Sequence, residues 1–147
     1  MRVLVCFSFF VMSAFGCSAD SVNPNEFEGI VELGESAIEE GRHEEAFALV
    51  LPYAEAGNPD AEFTIALLSG WGYGYGQSSE ELSETIREKT SFYWLKRAAS
   101  GGHEEAIRIM VDTYENGWYG QAREFVVARC WRNVMSGDER PEICVNK

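Results

Sequence analysis

The residues best suited to acid–base chemistry are two histidines. His43 and His103 each precede Glu-Glu-Ala, so an imidazole twice stands beside a pair of carboxylates, the groups of general acid–base catalysis. A working pair of acids needs two distinct environments that set their pKa values apart, and nothing in these segments marks one. Acids in a first helical turn complement the positive end of the helix dipole. Both histidines are therefore expected to start helices in equivalent ways. No Ser-His-Asp elbow and no metal-ligand spacing is visible. The stretch Gly70–Gly76 has four glycines in seven positions but lacks the lysine and the strand of a phosphate cradle. The expectation is a protein with no catalytic residue, no cofactor and no metal.

Aromatic residues are the stronger lead. Trp71, Tyr73 and Tyr75 lie in one glycine-rich loop and Trp118 and Tyr119 in another. Aromatics in neighbouring loops can anchor a partner, and they can equally fold back and seal an edge.

The chain opens with Arg2, then an apolar run from Val3 to Phe15, then small residues. Met1–Gly16 thus reads as a signal segment, too short to span a bilayer as a permanent helix. Ala14-Phe15-Gly16-Cys17 resembles a bacterial lipobox, which implies lipidation of Cys17. Cleavage after Ala19 is the alternative. Residues 17–25 read as a linker. Cys6 would leave with the signal, and Cys130 and Cys144 would remain as a pair in an oxidising compartment, which fits a disulfide. Such a bridge would fold residues 138–147 back over the last helix. Two cysteines with no nearby histidine do not make a zinc set.

The 147-residue chain carries 24 acids against 12 bases, a balance that argues against nucleic acid as a partner. The acid is concentrated early. Glu26–Glu62 holds eleven carboxylates and one base, Arg42, whereas Phe63–Lys147 holds twelve carboxylates and ten bases. Such a one-signed surface can steer a basic partner, although glutamate-rich faces also serve solubility.

Short amphipathic helices must position all of these groups. Ile30, Leu33, Ala37 and Ile38 form one apolar stripe, stopped by Gly41. Ala46, Phe47, Val50, Leu51 and Ala54 form a second, stopped by Gly57, with Pro52 expected to bend or loosen its last turn. Asn58-Pro59 opens a third as cap and first helical residue, with Ala61, Ile65 and Leu68 facing inward, and the glycines from Gly70 break it. Ser78 to Glu81 is a capping-box pattern, so a fourth helix is expected from near Ser79 to Ser100. Ala106, Met110 and Tyr114 mark a fifth, ended by Asn116-Gly117. The sixth is expected from about Gln121 to Ser136, with Phe125, Ala128, Trp131 and Met135 among its apolar positions. None of these helices is long enough to stand alone in water.

A unit recurs along this pattern. Leu49, Tyr53, Ala54 and Gly57 are matched by Trp94, Ala98, Ala99 and Gly102, and then by Trp131, Met135, Ser136 and Gly137. The spacings are 45 and 37 positions, with the excess in the loop Gly76–Lys89. Residues 26–137 resemble the SEL-like repeat family, relatives of the tetratricopeptide repeats. Ala61, Ile65, Ala66, Ser69, Gly72 and Gly74 follow that family's first-helix pattern, as do Ala106, Met110, Tyr114 and Gly117, with Val111 and Tyr119 standing where it has glycine. Ser91, Trp94, Ala98, Ala99 and Gly102 follow the second-helix pattern. The resemblance implies an all-α fold, an α/α solenoid of about three helical hairpins, with Ala61, Ile65, Trp94, Ala98, Ala99, Ala106, Tyr114 and Trp131 in the repeat core.

A stack of this kind presents a surface and has no built-in reaction centre. The expected function is non-enzymatic binding of another protein in the bacterial envelope, periplasmic or tethered to the outer membrane through Cys17. The resemblance also implies a sharper alternative, an immunity protein that neutralises a secreted toxin such as a type VI effector. A third is glycan or peptidoglycan binding through Trp71, Tyr73 and Trp118, or an accessory role to an envelope enzyme.

Overall fold

The structure, a computed structural model, describes residues 28–75, 83–139 and 141–145. The signal segment, Cys17, the linker and the Ser78–Glu81 capping box lie outside the described residues.

Every element among the described residues is helical: α1 (Glu28–Glu39), α2 (His43–Glu55), α3 (Pro59–Trp71), α4 (Glu84–Ser100), α5 (Glu104–Asn116), α6 (Phe125–Met135) and a short α7 (Pro141–Val145). The fold is all-α. Each helix from α1 to α6 packs chiefly on its neighbours in sequence, and α7 packs on α6 and α4.

The starts of these helices follow local chemistry. Asn58 Oδ1 accepts the backbone N–H of Ala61 at 2.9 Å, and Pro59 follows as the first helical residue, where its missing N–H costs nothing. His103 caps α5 in the same way, its Nδ1 accepting from Ala106 N–H at 3.2 Å. His43 does not match it. The residue preceding α2 is Arg42, which makes no side-chain cap, and His43 instead turns its ring onto Tyr73. The two histidines therefore have different roles, contrary to their similar sequence settings.

The helix ends are uniform. The chain leaves α1 to α6 through Gly41, Gly57, Gly72, Gly102, Gly117 and Gly137, all at positive φ. The next residue then donates its N–H to a carbonyl five positions earlier, as Asn58 does to Tyr53 and His103 to Ala98. Only glycine enters this left-handed turn without a steric cost.

Two expectations need correction, while α2 continues through Pro52 to Glu55. The carbonyl that loses its partner belongs to Ala48, and both residues are exposed, so water can satisfy it. α3 continues through Gly70 to Trp71 before breaking. α6 begins at Phe125 and not at Gln121. Residues 121–124 are tied back to the end of α5: Glu124 N–H donates to Tyr114 O at 2.9 Å and Arg123 Nε to Asn116 O at 3.3 Å.

The core runs between the helices. Ala61, Ile65, Trp94, Ala98, Ala99, Ala106 and Trp131 are buried in one cluster, with Tyr114 half-buried against it. Trp131 is among the largest fully enclosed side chains, and truncating such a residue to Ala typically costs about 3–5 kcal/mol. Small residues set the approach of α3 to α4, since a Cβ at Gly70 would lie 3.3 Å from Ser91 Oγ. Phe125 and Met135 are exposed, at 68% and 51%, so only Ala128 and Trp131 of the four apolar positions expected in α6 face inward. The tail is held by a Cys130–Cys144 disulfide, with Cα atoms 5.6 Å apart.

Candidate functional site: an aromatic groove

The close approach of α3 to α4 leaves a groove where the two helices diverge. The last turn of α3 supplies Leu67, Gly70 and Trp71, and the first turns of α4 supply Glu84, Arg87, Glu88 and Ser91. Tyr119, from the turn after α5, completes a hollow of about 270 Å³. A second hollow of about 340 Å³ adjoins it, sharing Glu88 and Tyr119 and adding Trp118.

The five aromatics singled out from the sequence divide between exposed and packed positions. Trp71 is 51% exposed and Trp118 49%, each beside the groove. Tyr119 is half-buried and packs on the main core, its ring 6.2 Å from Phe92. Tyr73 stacks on His43 at 4.4 Å, and the Tyr75 hydroxyl donates to Ser69 O at 3.5 Å. Tyr73 and Tyr75 thus fold onto α2 and α3 and do not line the groove. Their loop is fastened by Gly74 N–H, which donates to the Glu44 carboxylate at 3.1 and 3.2 Å. A Cβ at Gly74 would collide with the Phe47 ring.

Tyr119 is the one non-glycine residue at positive φ among the described residues, at 53°. An L side chain pays about 1–2 kcal/mol in this region, and such strain persists only where packing enforces it. Burial pushes the Tyr119 phenol above its usual range, a hydrogen bond with Ser91 opposes the shift, and the charge on Glu88 adds to it. Ser91 also donates to Ala66 O at 2.8 Å, so the groove's hydroxyl is committed to the backbone.

Arg87 was not singled out by sequence patterns. Its Nε is buried and has no acceptor within the protein. No nearby acidic pattern distinguishes it from other helix-surface arginines, and only the crossing of α3 and α4 brings it into the groove. Leu67, 37% exposed, was legible in principle, because it falls off the inward stripe of Ala61, Ile65 and Leu68.

The groove offers aromatic faces, one guanidinium and two carboxylates, which suit recognition. Neither histidine lines it. Elsewhere, donor atoms of Cys130, Glu139 and Cys144 lie within 4.8 Å of one another, but the two sulfurs are bonded to each other and offer no thiolate to a metal. Among the described residues no helix is long and apolar enough to cross a membrane.

The chain matches no family model, no curated protein and no solved structure.

Proposed function

We propose that this chain is an exported α/α solenoid of about three helical hairpins, of the SEL-like repeat type, that binds another protein in the bacterial envelope without catalysing a reaction. Sequential packing of α1 to α6 supports the stacked arrangement, as does their shared mode of ending. The turns after α3 and α5 also match: left-handed Gly72 and Gly74 in one, left-handed Gly117 and Tyr119 in the other.

The observation that carries the binding role is the pair Trp71 and Trp118, half-exposed beside one groove. Half-exposed tryptophans supply large contact area at low entropic cost, and they dominate binding energy at interfaces. A photo-crosslinking side chain placed at position 118 should capture a discrete envelope protein. The same group at Tyr93, an exposed aromatic outside the groove, should not. Equal capture at both positions, or none at 71 and 118, would overturn this assignment.

The acidic segment Glu26–Glu62 favours one particular class of partner, a toxin with a basic cleft that the chain would mask. Rescue of cells expressing such a toxin tests that immunity role. A lipid on Cys17 would set the location at the membrane, and mass analysis of the mature N-terminus decides it.

A further inference from the structure

The second of the two adjoining hollows carries a single charge. Glu88 of α4 lines it, together with Gly117, Trp118, Tyr119 and Gly120 from the turn after α5. Arg87 lines the first hollow and not this one. Arg123 follows the same turn, but its Nε donates to Asn116 O and it does not line the hollow. Among the described residues Glu88 makes no ion pair. Burial raises the Tyr119 phenol's pKa and the Glu88 charge adds to the rise, so this carboxylate acts on the ring beside it.

A partner that buries the half-exposed Trp118 also takes Glu88 out of water. An unpaired carboxylate is among the costliest groups to desolvate, and the protein supplies no cation to the hollow. The partner therefore has to bring the positive charge. Trp118 and Tyr119 favour the same choice, since a guanidinium or ammonium is attracted to the face of an aromatic ring. The chain's formal net charge of −12 draws basic groups toward its surface from a distance.

We infer that the partner inserts one basic side chain, an arginine or a lysine, into the hollow between Glu88 and Trp118. This assignment rests on the reading that a partner protein covers Trp118, and it adds the chemistry of the group that does so. Arginine suits the hollow better than lysine, because its planar guanidinium can pair with a carboxylate and stack on an aromatic face.

Titration of the unaltered chain with N-acetyl-arginine amide, followed by nuclear magnetic resonance of the tryptophan indole N–H groups, tests this. The chain has four tryptophans, and Trp118→Phe identifies the signal of residue 118. The expected result is a saturable shift of that signal, with the neutral isostere N-acetyl-citrulline amide at least ~10-fold weaker. Glu88→Gln keeps the shape and removes the charge, and should weaken arginine binding ~10-fold as well. Glu55→Gln makes the same change in net charge at an exposed position on α2 and should alter binding by less than ~2-fold. No shift at Trp118, or equal binding of citrulline, overturns the inference. So do equal losses in the two glutamine variants, which would leave only a general attraction of an acidic chain for bases.

Photo-crosslinking from position 71, which keeps Trp118, separates this from the reading beneath it. A partner captured equally with and without Glu88→Gln overturns the basic side chain and keeps the binding role. Absence of capture from both 71 and 118 overturns the binding role itself.

Discussion

Phe63 stacks on His103 with ring centroids 4.2 Å apart and planes 22° from parallel. The same imidazole accepts the backbone N–H of Ala106 through Nδ1, so one side chain starts α5 and joins it to α3. His103→Ala should cost about 1 kcal/mol for the lost cap and roughly 0.5–1.5 kcal/mol more for the lost ring contact. His103→Asn keeps a capping oxygen and should recover only the first part. Urea unfolding of the two variants separates the contributions. Equal losses would show that the cap contributes nothing.

Glu62 and Arg97 make the most enclosed ion pair among the described residues, with Nη2 to Oε1 at 2.7 Å and the carboxylate side chain 5% exposed. Arg97 also donates to Ala54 O at 3.1 Å and lies over the Trp94 ring. Burial raises the Glu62 pKa above the ordinary glutamate value of 4.5, and Arg97 works against that rise. A folded-state pKa above the unfolded value means that the folded chain holds the proton more tightly. The contribution of Glu62 to stability is therefore full below pH 4.5 and is lost as pH rises through the raised folded value. Arg97→Ala removes the opposing charge and leaves a buried carboxylate alone, at a cost of ~3 kcal/mol at neutral pH. The penalty should shrink as pH falls and Glu62 takes up its proton. A penalty independent of pH between 5 and 8 would assign the role of Arg97 to packing and not to charge.

Much of the helical layout was legible because glycine punctuates it. A glycine at positive φ ends each of α1 to α6, and glycine's backbone freedom is a property of the residue itself. The start of α6 was not legible. It is fixed by Tyr114 O and Asn116 O holding residues 123 and 124 off the helix, contacts made only after α5 has formed. The outward placement of Phe125 and Met135 has a related cause. α6 packs chiefly on α5 and the short α7, so it has few neighbours to cover its apolar positions, and sequence periodicity does not say how many neighbours a helix will have. The aromatic residues of the groove could be named from their loops, whereas Arg87 becomes a groove residue only through the crossing of α3 and α4.

The disulfide links α6 to α7, with Cys130 and Cys144 fourteen positions apart and Cys144 only 2% exposed. Closing a loop of about 15 residues stabilises by ~3 kcal/mol in the chain-entropy model. Cys144→Ser should lower stability by about that amount, and reduction of the native chain should do the same. The five residues of α7 cannot hold a helix unaided, so hydrogen exchange at 141–145 should accelerate far more than exchange in α3. Uniform acceleration would mean that the bridge supports the whole molecule and not its end.

Tyr119 sets backbone strain against packing, and the balance is measurable. Its φ of 53° favours glycine, while its ring is packed on the core beside Phe92. Tyr119→Ala loses the ring and keeps a Cβ in the left-handed region. Tyr119→Gly loses slightly more side chain but releases the strain, worth about 1–2 kcal/mol. Glycine, the smaller residue, should therefore give the more stable variant of the two, although both fall below the parent because ring burial outweighs the strain. Tyr119→Phe keeps the packing and loses the hydrogen bond with Ser91, so it should cost only about 1 kcal/mol. An alanine variant as stable as the glycine one would mean that the turn relaxes once the ring is gone. The core would then be what forces residue 119 into its left-handed conformation, and the loop sequence would not.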